Sequence, residues 1–206
     1  MPMTREEKFA KQYIQHELAK NGYPTYAQLL GYFDLNLTDR PNVIAYMEPS
    51  KGRIVINRGL DEEQVSVVIR HEILHNYLEH EDRLLKKLAR DANLDYDVLN
   101  DIEIQDLKKD LYKNSDFNIA GDYEISNLAY TDRDKQTIRQ ININGQILSG
   151  LVTEDEHPDW VELSVEEMYD ELKKQRIQKA SEPPKYYGYL IDATTFVDLN
   201  GVMYGV

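Results

Sequence analysis

The chain of 206 residues contains no cysteine, so disulfide bonds and thiolate zinc sites are excluded. It also has no apolar run of about 18 residues or more, the length that a membrane-spanning helix needs, so we expect no membrane contact. The stretch 1–8 lacks the apolar region of a secretory signal. These absences together lead us to expect a cytoplasmic protein.

Basic residues are also scarce, with 24 Lys and Arg against 37 Asp and Glu and a formal net charge of -13. A chain of this charge repels phosphate backbones, so we do not expect nucleic-acid binding through a basic surface. The hydrophobic content of 41% is typical of a soluble globular protein rather than a disordered one. The length is sufficient for one well-buried domain.

Apolar periodicity and helix-start signals predict a chain made mainly of helices, which we expect at 4–20, 25–32, 61–80, 81–112, 116–127 and 164–179. Capping boxes are expected where Thr4 precedes Glu7 and where Ser164 precedes Glu167.

Two β-hairpins are also predicted. The first pairs 43–47 with 53–57, and the second lies within 137–147 around an Asn-Gly turn. We therefore predict an α+β fold that is mainly helical with a small β-hairpin or sheet. It would form one domain over 1–180, with an aromatic, β-rich tail at 181–206.

The most informative motif is HExxH, formed by His71, Glu72 and His75 within the predicted helix 61–80. Residues four apart lie on one face of a helix, so both imidazoles can point at one metal ion. Glu72 lies one step round from His71, where a general base must stand to take a proton from a water that the metal activates. The motif predicts a zinc-dependent peptidase.

A catalytic zinc site needs a third protein ligand. His80 is a poor candidate, because on a continuous helix it would lie about 180° round from His71 and roughly 13 Å along the axis. Glu79 would face the right way but lie about 12 Å from His71 along the axis. We expect both residues at the solvated end of the helix, and the third ligand on another segment.

Three blocks of the chain carry a family resemblance. They are 52–57 followed by the HExxH helix with His80 and Arg83, the segment 118–125, and the segment 163–172. Together these blocks resemble a metallopeptidase domain family that occurs alone in phages and mobile elements and is fused to von Willebrand A-type modules in bacteria. The similarity covers roughly 40–175, and the chain differs from the family in having Ser126 where an Asn is usual.

The resemblance implies a zincin-like fold with Zn²⁺ bound by His71, His75 and Asp122, and with Glu72 as the general base. Small residues before Asp122 agree with a close approach to the HExxH helix, and a carboxylate is an accepted zinc ligand. Asp101 lies in a poorer copy of the same pattern and is the alternative third ligand.

The expected function is hydrolysis of peptide bonds in a protein or peptide substrate. Tyr123 and Tyr77 are candidates for the donor that stabilises the oxyanion. Two other functions stay open from the sequence. One is a non-proteolytic metal-binding protein with a regulatory or assembly role, and the other is a metal-free helical module whose histidines pack in the core. The sequence predicts no oligomeric state.

Overall fold

A computed structural model describes residues 2–41, 43–113, 116–143, 146–147 and 157–178, together with 196–197 and 203–204. Only the backbone is described at 50, 146–147, 177–178, 196–197 and 203–204. The helices are α1 (Arg5–Lys20), α2 (Pro24–Leu29), α3 (Glu62–Tyr77), α4 (His80–Asp91), α5 (Asp101–Leu111), α6 (Asp116–Ala129), α7 (Asp132–Arg139) and α8 (Val165–Gln178). No helix in these ranges is long and apolar enough to cross a lipid bilayer.

Local signals place most of the helix starts correctly. Thr4 and Glu7 form the predicted capping box of α1, with each side chain bonded to the other residue's backbone N–H. Ser164 and Glu167 make the equivalent side-chain contacts ahead of α8. Asp61 caps α3 in the same way through Gln64. The predicted helix 81–112 is in fact the two helices α4 and α5.

The three strands of the main sheet are β1 (Asp34–Thr38), β2 (Ala45–Glu48) and β3 (Arg53–Asn57), in the order β1-β3-β2. The predicted hairpin is confirmed, since β2 and β3 pair antiparallel around a short 3₁₀ turn at Pro49–Lys51. The strand β1 is missing from the sequence-based prediction, and it pairs parallel with β3. The fold is therefore mainly helical with a small mixed sheet, as the α+β prediction requires.

The second predicted hairpin was partly wrong. Residues 137–139 end α7, which begins after a capping box between Thr131 and Asp134. The two-residue strands β4 (Asn142–Ile143) and β5 (Gln146–Ile147) do pair antiparallel, while the Asn-Gly turn between them lies outside the described residues. Most of the predicted tail at 181–206 also lies outside them, apart from an antiparallel backbone pairing of 196–197 with 203–204.

The buried apolar residues form two clusters. The first combines α1, the sheet, one face of α3 and Ile138 of α7. The second joins α4, α6 and α8 and includes the fully buried Trp160. The helix α3 of the first cluster and the helix α6 of the second contact each other. This contact positions the polar residues described next.

Candidate metal centre

The helix α3 presents the two histidines of the motif to one point. His71 is fully buried and His75 is 4% exposed. Their Nε2 atoms are 2.8 Å apart, as the i, i+4 spacing on one helix face predicts. Glu72, between them in sequence, is also fully buried on the same helix.

The helix α6 supplies a carboxylate to the same point. Oδ1 of Asp122 lies 3.1 Å from Nε2 of His71 and 3.0 Å from Nε2 of His75. Asp122 is fully buried, whereas Asp101 is exposed at the start of α5. The structure thus brings together His71, His75 and Asp122, and it does not bring Asp101 to them.

A glycine allows α6 to approach this closely. A Cβ atom at Gly121 would lie 2.9 Å from Cε1 of His75 and 2.9 Å from Nδ1 of His80. Contacts this short do not occur between real side chains without a shift of one partner. The small residue expected before Asp122 therefore has a direct role in bringing the carboxylate to the histidines.

The three side chains form a set of donor atoms that suits a metal ion. Ligand atoms at about 2.0–2.1 Å from a tetrahedral zinc lie about 3.3 Å from one another, close to the distances between these three atoms. Asp122 Oδ2 is buried and has no hydrogen-bond partner among the described residues. A buried carboxylate oxygen without a partner is costly, and a cation beside the carboxylate would remove that cost.

The electrostatics of the group favour a neutral His71 beside an ionised Asp122. Burial, and then the neighbouring His75, lowers the pKa of His71. Burial alone would raise the pKa of Asp122, but interactions with His71 and His75 lower it overall. Neutral imidazole and carboxylate are the protonation states that bind zinc.

The structure corrects the expectation for His80. The helix does not continue through this region, because α3 ends at Tyr77 and Glu79 has a φ of 55° in the left-handed region. The break turns the chain, so His80 is fully buried, while Glu79 is exposed as expected. Nδ1 of His80 lies 2.9 Å from Nδ1 of His75. His80 is therefore a neighbour of a ligand candidate and lies far from the solvated position that a continuous helix would give it.

A charged network extends from His80 towards α8. Nε2 of His80 lies 2.6 Å from Oε2 of Glu124, and Arg83 donates hydrogen bonds to Glu124 and to Glu166. Burial would raise the pKa of Glu124, but the bonds from His80 and Arg83 lower it to about 2. Burial lowers the pKa of His80 to about 4.

Tyr130 is a site residue that sequence reasoning missed. Its hydroxyl lies 2.6 Å from Nδ1 of His71. Burial raises its pKa well above the usual value, and so do the nearby charges of Asp122 and Glu72. Tyr130 follows Asp122 by eight residues, with Ser126 midway, so the helical spacing of one face was a signal that could have identified it.

The two tyrosines proposed as oxyanion donors differ in their surroundings. Tyr123 is fully buried, and its hydroxyl donates to the carbonyl of His157 at 2.5 Å. Tyr77 is 69% exposed at the end of α3. Neither is among the hydrogen-bond partners of the three ligand candidates in the described part of the chain.

A cleft of about 390 Å³ opens beside the centre. Its lining includes Met47 of β2, Pro49, and His75 and Asn76 at the end of α3. The strand β2 is at an edge of the three-stranded sheet. An edge strand next to a cleft offers unpaired main-chain groups to an extended peptide.

Comparisons with protein-family models, curated proteins and solved structures find no match to this chain. The assignment of a function therefore rests on the geometry of the residues themselves. That geometry places a buried His-His-Asp group, which could hold a metal ion, beside a surface cleft.

Proposed function

We propose that the chain is a zinc-dependent peptide-bond hydrolase with a zincin-like fold, in which His71, His75 and Asp122 bind the metal. The observation that carries the proposal is the convergence of two imidazole nitrogens and a carboxylate oxygen, each within 3.1 Å of the other two. A metal ion between these atoms could bind all three at once, since each can offer it a lone pair.

The nature of the ligand atoms favours zinc. Two histidine nitrogens and one carboxylate oxygen are a ligand set of catalytic zinc sites, which leave the fourth position for water or substrate. Magnesium and calcium prefer sites made of oxygen ligands alone. The cleft, which His75 lines, would give substrate a path to that fourth position.

The bound metal would polarise the carbonyl of the substrate and activate a water molecule. Glu72 would accept the proton of that water and then deliver it to the leaving amine. Its place on α3 directly after His71 supports this role, because it keeps the carboxylate close to the proposed metal without making it a ligand. The edge strand β2 would hold the substrate backbone in an extended conformation.

The first test is metal content by elemental analysis of untagged protein. We expect one zinc per chain in the wild type and in Asp101→Ala, and none in His75→Ala or Asp122→Ala. Asp101 is a matched control because it is an exposed Asp outside the group. A wild type that neither contains nor takes up zinc overturns the proposal.

The second test is hydrolysis of a synthetic peptide library, with products identified by mass spectrometry. We expect cleavage by the wild type and none by Glu72→Gln, which should keep its zinc because Glu72 is not a ligand. Zinc binding without cleavage of any peptide would favour the alternative of a non-proteolytic metal-binding protein. Equal cleavage by Glu72→Gln would overturn the role of Glu72.

A further inference from the structure

The second ring nitrogen of His75 determines whether the first can bind a metal. Nδ1 of His75 lies 2.9 Å from Nδ1 of His80. A hydrogen bond between two neutral imidazoles needs one donor and one acceptor, so one of these nitrogens carries the proton. If His75 is the donor, its Nε2 has a free lone pair. If His80 is the donor, the proton of His75 is on Nε2, where it blocks a metal ion.

Glu124 selects between these two arrangements. Its carboxylate accepts hydrogen bonds from Arg83 at 3.0 and 3.3 Å, so it is an acceptor. The Nε2 of His80, 2.6 Å from Glu124, must then be a donor. A neutral imidazole has one N–H, which leaves Nδ1 of His80 as an acceptor for the proton of His75.

A doubly protonated His80 is the other way to satisfy both contacts. His80 is fully buried, and Arg83 already occupies the same carboxylate. An imidazolium there would be a second cation on the same carboxylate oxygen, fully buried and next to the proposed metal site, and burying charge in this way is costly. The neutral arrangement is therefore the one that the contacts favour.

We propose that His80 and Glu124 are positioning residues that fix the tautomer of His75, so that its Nε2 lone pair faces His71 and Asp122. The inference rests on the proposed metal site, but the tautomer itself exists without the metal. Hydrogen bonds to the second nitrogen of a metal-binding histidine typically change metal affinity by about 10–100-fold. Here the partner is a second histidine, itself oriented by a carboxylate.

The tautomer is measured directly in protein labelled with ¹⁵N-histidine and freed of metal with a chelator. We expect two-bond ¹H–¹⁵N spectra at neutral pH to show His75 protonated on Nδ1 in the wild type. In His80→Leu this preference is lost, and Nε2 of His75 becomes protonated. A wild-type His75 that carries its proton on Nε2 overturns the inference.

Zinc affinity, measured by competition with a chelator, tests the consequence. Two substitutions at His80 separate hydrogen bonding from packing. His80→Leu fills the space but offers no acceptor, and we expect affinity to fall by about 10–100-fold. His80→Asn leaves more empty space but keeps an acceptor close to the position of Nδ1, and we expect affinity near that of the wild type. If Leu supports tighter binding than Asn, packing is the cause and the inference fails.

A carboxylate pair provides the matched control. Glu124 and Glu166 both accept hydrogen bonds from Arg83, but of the two only Glu124 contacts His80. We expect Glu124→Ala to weaken zinc binding and Glu166→Ala to leave it unchanged. Equal effects of the two substitutions would contradict the inference. The spectra of the metal-free protein separate the two failures, because a wild type that binds no zinc overturns the proposed function whatever its tautomer.

Discussion

Gly121 lies directly against His75, such that a Cβ atom added to the glycine would be 2.9 Å from Cε1 of the imidazole ring. The same atom would be 2.9 Å from Nδ1 of His80. The close packing of α6 on α3 thus depends on the absence of one methyl group. It also sets the distance at which Asp122, the next residue, meets the two histidines.

Gly121→Ala should therefore disturb the centre. Neither ring can move away freely because both are buried, and overpacking of this kind costs about 1–3 kcal/mol of stability. We expect weaker zinc binding together with a lower free energy of unfolding in urea. Gly31→Ala is the control, since its Cβ would come no closer than 3.6 Å to another residue. Wild-type zinc affinity in Gly121→Ala would contradict the close packing seen here.

A buried ion pair anchors the start of the motif. Arg70, which precedes His71, pairs with Asp134 of α7, and their side chains are only 3% and 7% exposed. Asp134→Ala leaves the guanidinium buried without its partner, which costs roughly 3–5 kcal/mol in such cases. Unfolding in urea would measure the loss.

The neighbouring pair Arg133–Glu63 is a suitable control for this experiment. It also links α7 to α3, but the Arg133 side chain is 80% exposed. Exposed pairs contribute little to stability, so Arg133→Ala should be nearly neutral. Similar losses for the two substitutions would show that the burial of Arg70 is not what matters.

The buried pair of Arg70 and Asp134 predicts a dependence of stability on pH. Burial raises the pKa of Asp134, but hydrogen bonds from Arg70 and Thr131 lower it overall below its usual value of 3.8. A lowered folded-state pKa stabilises the protein fully above the unfolded value, and this stabilisation is lost as pH falls through the folded value. The difference in unfolding free energy between wild type and Asp134→Ala should be constant at pH values above the usual Asp pKa of 3.8. It should shrink as the pH falls below that value.

Tyr130 should support metal binding through His71. Its hydroxyl contacts Nδ1 of His71, so Tyr130→Phe removes a hydrogen bond from the ring without removing the ring that packs beside it. We expect zinc affinity to fall by up to about 10–100-fold, the range for such partners. Tyr26→Phe, on α2, serves as the control for loss of a tyrosine hydroxyl elsewhere. An unchanged affinity in Tyr130→Phe would exclude this role.

Much of the secondary structure could be read from short-range patterns. The capping boxes at Thr4 and Ser164 and the hairpin of β2 and β3 depend on residues close in sequence. The strand β1 escaped prediction because it pairs parallel with β3, and a parallel partner leaves no turn between the strands as a signal. The end of α7 was likewise mistaken for strand, because its polar and apolar residues alternate over a few positions.

The HExxH spacing by itself determined that His71 and His75 share one helix face, because i, i+4 geometry is a local property of the helix. The tertiary structure decided what surrounds them. Asp122 is 51 residues from His71 in sequence, and Tyr130 is 59 residues away. His80 is near in sequence, but its position depends on the left-handed turn at Glu79 and on the packing of α6 against it. Such contacts follow from how helices pack around a shared core, and the residue pattern within one helix does not predict that packing.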